Sequence, residues 1–277
     1  MQQGENLVMN VPNSRLLARI FILALAGVSY QAFAQDAEEL AKKLSNPVAS
    51  LISVPIQYNY DKDIGTANGH KSFINVQPVI PLSLNDDWNV ISRTILPIVD
   101  QNNIAGPSGN QSGMGDILQS VFFSPKKPTS GGLIWGAGPV FLLPTASDSR
   151  LGGEKWGLGP TGVVLKQSGP WTIGALGNHV WSVGGDSNRA DISSTFLQPF
   201  LSYTTKSALS FSLNTESTYD WKSEQWSVPI NMSVAQLTKV GNQLVQFGVG
   251  ARYWADAPAS GPSGWGLRAT VTLLFPK

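Results

Sequence analysis

The sequence predicts an all-β fold, a transmembrane antiparallel up-and-down β-barrel of about twelve strands with a short helix before it. Three observations carry that expectation. Charged residues make up 13% of the chain, against about 25% in soluble domains. From residue 49 onward apolar side chains recur at every second position, in segments close to the ~9–11 residues a tilted strand needs to cross a bilayer. The connections between segments alternate long and short, as in a barrel with loops on one side of a membrane and tight turns on the other.

The chain opens on a targeting segment. Arg15 and Arg19 precede an apolar run over 20–28, shorter than the ~20 residues of a spanning helix. Ala32 and Ala34 occupy the two positions a signal peptidase reads, so cleavage is expected before Gln35 and residues 1–34 are a signal peptide. Its removal takes two of the 19 basic and one of the 18 acidic residues, leaving 17 of each. A neutral mature chain lacks the basic face that nucleic acid requires. With no cysteine, an exported chain gains no disulfide and offers no thiolate.

Residues 36–44 read as a helix. Asp36 caps it, Glu38 and Glu39 sit one turn before Lys42 and Lys43, and Ala37, Leu40, Ala41 and Leu44 form an apolar stripe. Asn46-Pro47 ends it, since a residue before proline resists helical dihedrals. Segment 35–48 is therefore expected as a plug or a periplasmic leader, with the apolar stripe favouring the lumen or its periplasmic mouth.

Strands are expected near 50–60, 71–82, 88–99, 114–124, 133–143, 157–167, 171–182, 194–204, 209–219, 226–236, 244–254 and 265–275. Within them two faces separate. Ile52, Val54, Ile56, Tyr58 and Tyr60 oppose Ser53, Pro55, Gln57 and Asn59. Trp265, Leu267, Ala269, Val271 and Leu273 oppose Gly266, Arg268, Thr270 and Thr272. An arginine cannot face lipid cheaply, so its face points to a polar interior. The longer connections lie at 100–113, 144–156, 184–193 and 255–264, and turns such as Asn85-Asp86-Asp87 and Ser168-Gly169-Pro170 alternate with them. The whole barrel spans 49–277.

Trp88, Trp171, Trp181, Trp226, Trp254 and Trp265 fall near strand ends. An aromatic girdle is the expected reading, because the indole ring prefers the headgroup level where its N–H stays wet.

Several stretches resemble a known family. They are Leu40-Ala41-Lys42-Lys43, Asn46-Pro47-Val48-Ala49-Ser50-Leu51-Ile52-Ser53-Val54-Pro55, and Asn75-Val76-Gln77-Pro78-Val79-Ile80-Pro81. Further along come Leu84-Asn85-Asp86-Asp87-Trp88-Asn89, Arg93-Thr94-Ile95-Leu96-Pro97, Gly115-Asp116, Phe123-Ser124-Pro125, Gln198-Pro199-Phe200 and Leu274-Phe275-Pro276-Lys277. Together they look like the bacterial outer-membrane transporter family named after the meta-pathway of phenol degradation, also mislabelled neuromedin U. The resemblance covers nearly the whole mature chain. It implies an outer-membrane channel or transporter, with aromatic-compound uptake suggested by gene context in some relatives. It fixes no substrate and brings no catalytic residues.

The chemistry-bearing residues are few. His70 and His179 are the two histidines; a catalytic pair of His179 with Ser182 or Ser210 is weighed and finds no acidic residue at a matching depth and face. No metal site or cofactor is expected. The glycines at 131, 132, 136, 138, 152 and 153 match no phosphate loop and read as bulges or a narrow interior. The inward charges are Arg93, Asp116, Glu216, Arg252 and Arg268, with Arg252 and Arg268 on adjacent strands and Glu216 able to balance them. Arginine pairs carboxylates and stacks on rings, so this set reads as a constriction or guide for small anionic or aromatic solutes, or equally as a salt-bridge network filling a narrow barrel.

The expected protein is a monomeric passive channel and not an enzyme. Its expected partners are the outer-membrane bilayer, a small-molecule solute and the barrel-assembly machinery. The alternatives are a structural or adhesion barrel and, third, an outer-membrane enzyme.

Overall fold

The computed structural model describes residues 36–276; the expected signal peptide and cleavage site lie outside them. Twelve antiparallel strands form the wall. They are β1 (Ile52–Ile64), β2 (Gly69–Val76 and Val79–Ser83), β3 (Trp88–Asn102), β4 (Asn110–Met114 and Ile117–Pro125), β5 (Leu133–Leu143), β6 (Lys155–Ser168), β7 (Trp171–Gly185), β8 (Ser193–Thr204), β9 (Leu209–Thr215 and Ser217–Asp220), β10 (Gln225–Val240), β11 (Gln243–Asp256) and β12 (Gly264–Phe275). Each pairs with its sequence neighbours, and β12 pairs with β1 from Ile52↔Phe275 to Tyr60↔Leu267, which closes the sheet. Closure leaves no edge, so the wall's backbone groups are paired without water.

Three strands are interrupted, and a proline stands at each interruption because it has no N–H for the ladder. In β2 it is Pro78 itself. In β4 the break at Gly115 faces Pro97, whose carbonyl takes the Gly115 amide at 2.9 Å. There the register slips by one residue, from Ile98↔Met114 to Ile95↔Leu118. In β9 the break at Glu216 faces Pro229.

The side-chain distribution is inverted relative to a water-soluble domain. Outward positions hold exposed Ile56, Ile173, Leu197, Leu213, Val249 and Leu267, whereas Asn59, Asp61, Asn231, Arg252, Arg268 and Thr272 are buried inside. An exposed apolar belt of this extent requires a lipid environment. The expected period-two faces of β1 and β12 hold residue by residue. The strands run further than expected at the loop end, so the connections shorten to 103–109, 144–154, 186–192 and 257–263.

Residues 36–44 are helical, with Lys42 and Glu38 paired at 2.7 Å. Ala37 and Ala41 bury against Ala208, Leu237 and Leu274 at the turn end of the barrel. The chain then crosses the lower interior. Gln167 donates to the Lys42 carbonyl at 2.9 Å, Ser45 bonds Ser202 at 3.2 Å, and Asn89 donates to Ser50 at 2.8 Å. Val48 joins Ile91, Phe122, Val163, Leu165 and Leu176 in a second apolar cluster. A side chain at Gly136 would meet Val48 Cγ1 at 3.1 Å, so this glycine makes the seat for the crossing segment.

Candidate functional site: a charged network in the lumen

Four of the five expected inward charges converge in the barrel interior. Arg268 donates from Nη1 and Nη2 to the two oxygens of Glu216 at 3.0 and 2.7 Å, and from Nε to Asn59 Oδ1 at 2.8 Å. Arg252 approaches Glu216 at 3.7 Å and Asp61 at 3.4 Å, and its guanidinium lies 4.6 Å from the Trp254 ring centroid and 5.8 Å from that of Phe73. A guanidinium this close to two aromatic rings is a cation–π arrangement that arginine makes more often than lysine. Arg93 donates to Gln77 Oε1 at 3.0 Å. Gln77 donates to Gln57, which also accepts from Asn59. A chain of polar contacts thus links Glu216, Arg268, Asn59, Gln57, Gln77 and Arg93 across β9, β12, β1, β2 and β3.

Backbone register explains why these groups meet. Asn59 stands directly opposite Arg268, and Arg252 stands opposite Gly266. A Cβ on Gly266 would lie 2.8 Å from Asp61 Oδ1. The missing side chain on β12 therefore lets Asp61 of β1 and Arg252 of β11 touch across an intervening strand. Arg252 and Arg268 are offset diagonally, Arg268 facing Gly250, rather than lying opposite each other.

Asn59, expected on the inner face of the first strand, belongs to the network, and so do Asp61 and Lys71, which the sequence reading did not place there. Asp61 shares the inward parity of Gln57 and Asn59, one residue past the expected end of the first strand. Lys71 lies 5.5 Å from the Phe73 ring on the same inner face of β2.

Asp116 lies apart from this group. Its carboxylate accepts the amides of Ala146 at 3.1 Å and Gly153 at 2.6 Å, which holds connection 144–154 over the loop end. Arg189 adds bonds to the Ser149 and Gly152 carbonyls and an ion pair with Glu154 at 3.2 Å. Inward-facing Gln101 reaches the Arg150 carbonyl at 3.2 Å. The β4 register slip gives Asp116 this separate position, and alternation alone does not reveal it.

Of the six tryptophans expected in a girdle, Trp171, Trp181, Trp226 and Trp265 are exposed on the outer face, and Trp88 packs edge-on against Trp135. Trp254 is a correction. It shares the inward parity of Arg252 and donates Nε1 to Asp61 Oδ1 at 2.9 Å. Its position near a strand end resembled a headgroup anchor, but facing decides its role. Trp156 and Trp221 are exposed at the outer rim without having been expected there.

His179 faces outward in the upper belt. Its Nδ1 lies 2.7 Å from Thr195 Oγ1 and its Nε2 3.4 Å from Ser193 Oγ, with the Trp181 ring tilted against it, 4.1 Å away between centroids. Ser182 and Ser210 point to the other face of the wall, so neither meets it: Ser182 bonds Asp191, and Ser210 pairs with Thr204. His70 is the second residue of β2 and packs near Tyr60.

Below the charged network lies a chamber of about 290 Å3. The crossing segment around Lys43–Pro47 forms one end, and Arg93 and Arg268 line the other.

A closed twelve-strand wall with an apolar outer belt and a charged interior defines an outer-membrane β-barrel. Among solved structures, the chain is similar to an outer membrane channel from Pseudomonas putida F1, with a TM-score of 0.64 and 16% identity over 82% of this chain and 96% of that one. It also aligns with the Salmonella typhi outer membrane phospholipase at 0.47, with 8% identity over 81% and 91%, and with the β domain of a Bordetella autotransporter at 0.46, with 8% identity over 82% and 100%. Those last two scores are too low to bear on this chain. No family model matches the sequence, and no curated protein matches it.

Proposed function

We propose that this barrel is a passive outer-membrane channel for small solutes, with a preference for anions. The carrying observation is the charge balance of the lumen: Lys71, Arg93, Arg252 and Arg268 against Asp61 and Glu216. Four cations to two carboxylates leave a positive field where the path is narrow and the walls are of low dielectric, which concentrates anions and repels cations. The likeness to the outer membrane channel of Pseudomonas putida supports the general role. The motifs quoted above favour the phenol meta-pathway transporter family, whose relatives make aromatic acids reasonable solutes.

In this reading the helix and crossing segment 36–51 form a plug at the periplasmic mouth, and connection 144–154 narrows the extracellular mouth. The protein works as a monomer, inserted by the barrel-assembly machinery, and catalyses no reaction.

The test is reconstitution of the mature protein in planar bilayers under a KCl gradient, after confirming that the folded band shifts on heating in SDS. A reversal potential of the sign for chloride preference is expected. A heat-modifiable barrel without conductance overturns the channel in favour of a structural or adhesive role, and cation preference overturns the assignment of anions.

A further inference from the structure

We propose that the chamber between the crossing segment and the arginine network is a binding site for a small amphiphilic monocarboxylate. This rests on the channel reading only in setting the chamber on the solute path.

The first argument is charge. Arg252 and Arg268 each have carboxylate partners within the barrel. The hydrogen bond made by the Arg93 guanidinium goes to an amide oxygen, that of Gln77, and among the described residues no carboxylate lies within ion-pair distance of it. Glu216 attracts it from beyond ion-pair distance, so no anion touches it; a cation held away from bulk water without a contacting anion is costly, and an incoming carboxylate relieves that cost. Since Glu216 already occupies both terminal nitrogens of Arg268, one guanidinium is available. Lys43 lines the chamber at its crossing-segment end, so the network end offers one cation, which matches a single carboxylate rather than a phosphate dianion.

The second argument is the two-sided lining. Toward β2, β7 and β8 the chamber meets Val79, Leu176 and Phe200, which border the apolar cluster around Phe122. Across the lumen, β9 and β12 present Ser210, Ser212 and Thr270. An apolar body lies against the first wall while its polar edge faces the hydroxyls. Inorganic anions make no use of the apolar wall.

Size is the third. About 290 Å3 is at the lower end of small-molecule pockets, roughly 300 Å3, which suits a short-chain acid and excludes an oligosaccharide.

The experiment is calorimetric titration of the detergent-solubilised mature protein at low ionic strength, where screening is weak. The probes are hexanoate, neutral hexanamide and gluconate, an acid of like charge without an apolar body. Saturable one-to-one hexanoate binding is expected, with hexanamide and gluconate at least tenfold weaker. Arg93→Gln should weaken hexanoate at least tenfold. Ser212→Leu, which fills the chamber from the other wall and keeps every charge, should weaken it as well. Each variant is titrated only if its band shifts on heating. The site is overturned by absent hexanoate binding to the wild type, by equal binding of hexanamide or gluconate, or by wild-type affinity in both variants. Chloride conductance of the same preparation reads out the channel separately, so either idea can fail alone.

Discussion

Arg268 and Glu216 stand three strands apart on the barrel wall, on β12 and β9, and their side chains close a two-pronged bond at 3.0 and 2.7 Å. The bond bridges the lumen rather than running along the wall. It narrows the path and fixes where the positive field sits. Both roles lead to measurable consequences.

Glu216→Gln removes the carboxylate shared by two arginines. Anion preference in a KCl gradient should increase, while Arg268→Gln should decrease it. Either change strands a partly buried charge, a defect worth about 3–5 kcal/mol, so both variants should lose their heat-resistant band at a lower temperature. Replacing both residues with methionine should restore much of that resistance. Unchanged reversal potentials in both single variants would sink the assignment of this pair to the solute path.

Gly266→Val inserts a side chain where Asp61 and Arg252 now meet, and its Cβ also falls 2.5 Å from the Tyr60 carbonyl oxygen. The backbone oxygen cannot move aside without disturbing the β1–β12 ladder. The folded band of this variant should therefore unfold at a lower temperature than wild type. Gly131→Ala, where the nearest atom is Thr129 Oγ1 at 3.9 Å, should be neutral in the same gel.

Val48 rests on Gly136, and the chain has no native cysteine, so a lock can be built on a clean background. Val48→Cys with Gly136→Cys brings the two sulfurs within bridging geometry. Deletion of 36–48 should raise single-channel conductance severalfold. The oxidised double variant should open less often than wild type, and reduction should reverse that. Equal conductance with and without 36–48 would exclude a plugging role.

At the loop end, Lys155 and Ser182 hydrogen-bond the Asp191 carboxylate and hold its pKa below the ordinary value. A depressed acid contributes above its ordinary pKa of about 3.9 and loses that contribution as pH falls through the lower value. Tryptic cleavage at Arg189 at pH 7 should thus be faster in Asp191→Asn than in wild type. Current noise from wild-type channels should stay flat between pH 7 and 5. A rise in noise already at pH 6 would point to a different titrating group.

The sequence by itself determined the wall. Strand identity follows from a two-residue period, and that period is local: the faces of 52–60 and 265–275 can be assigned without knowing any neighbour. The same parity put Arg93, Arg252 and Arg268 inside. It also held the answer for Trp254, which alternates with Tyr253 and so lies on the face of Arg252; proximity to a strand end was the weaker signal. Only the tertiary structure decided which inward groups meet. Closure of β12 on β1 sets Asn59 against Arg268 and lets Asp61 reach Arg252 past Gly266. The curvature of twelve strands brings Glu216 across to Arg268. The one-residue slip opposite Pro97 sends Asp116 to the loops, and the glycine at 136 seats the N-terminal segment inside. Register and closure join residues up to about two hundred positions apart, and no local period carries that information.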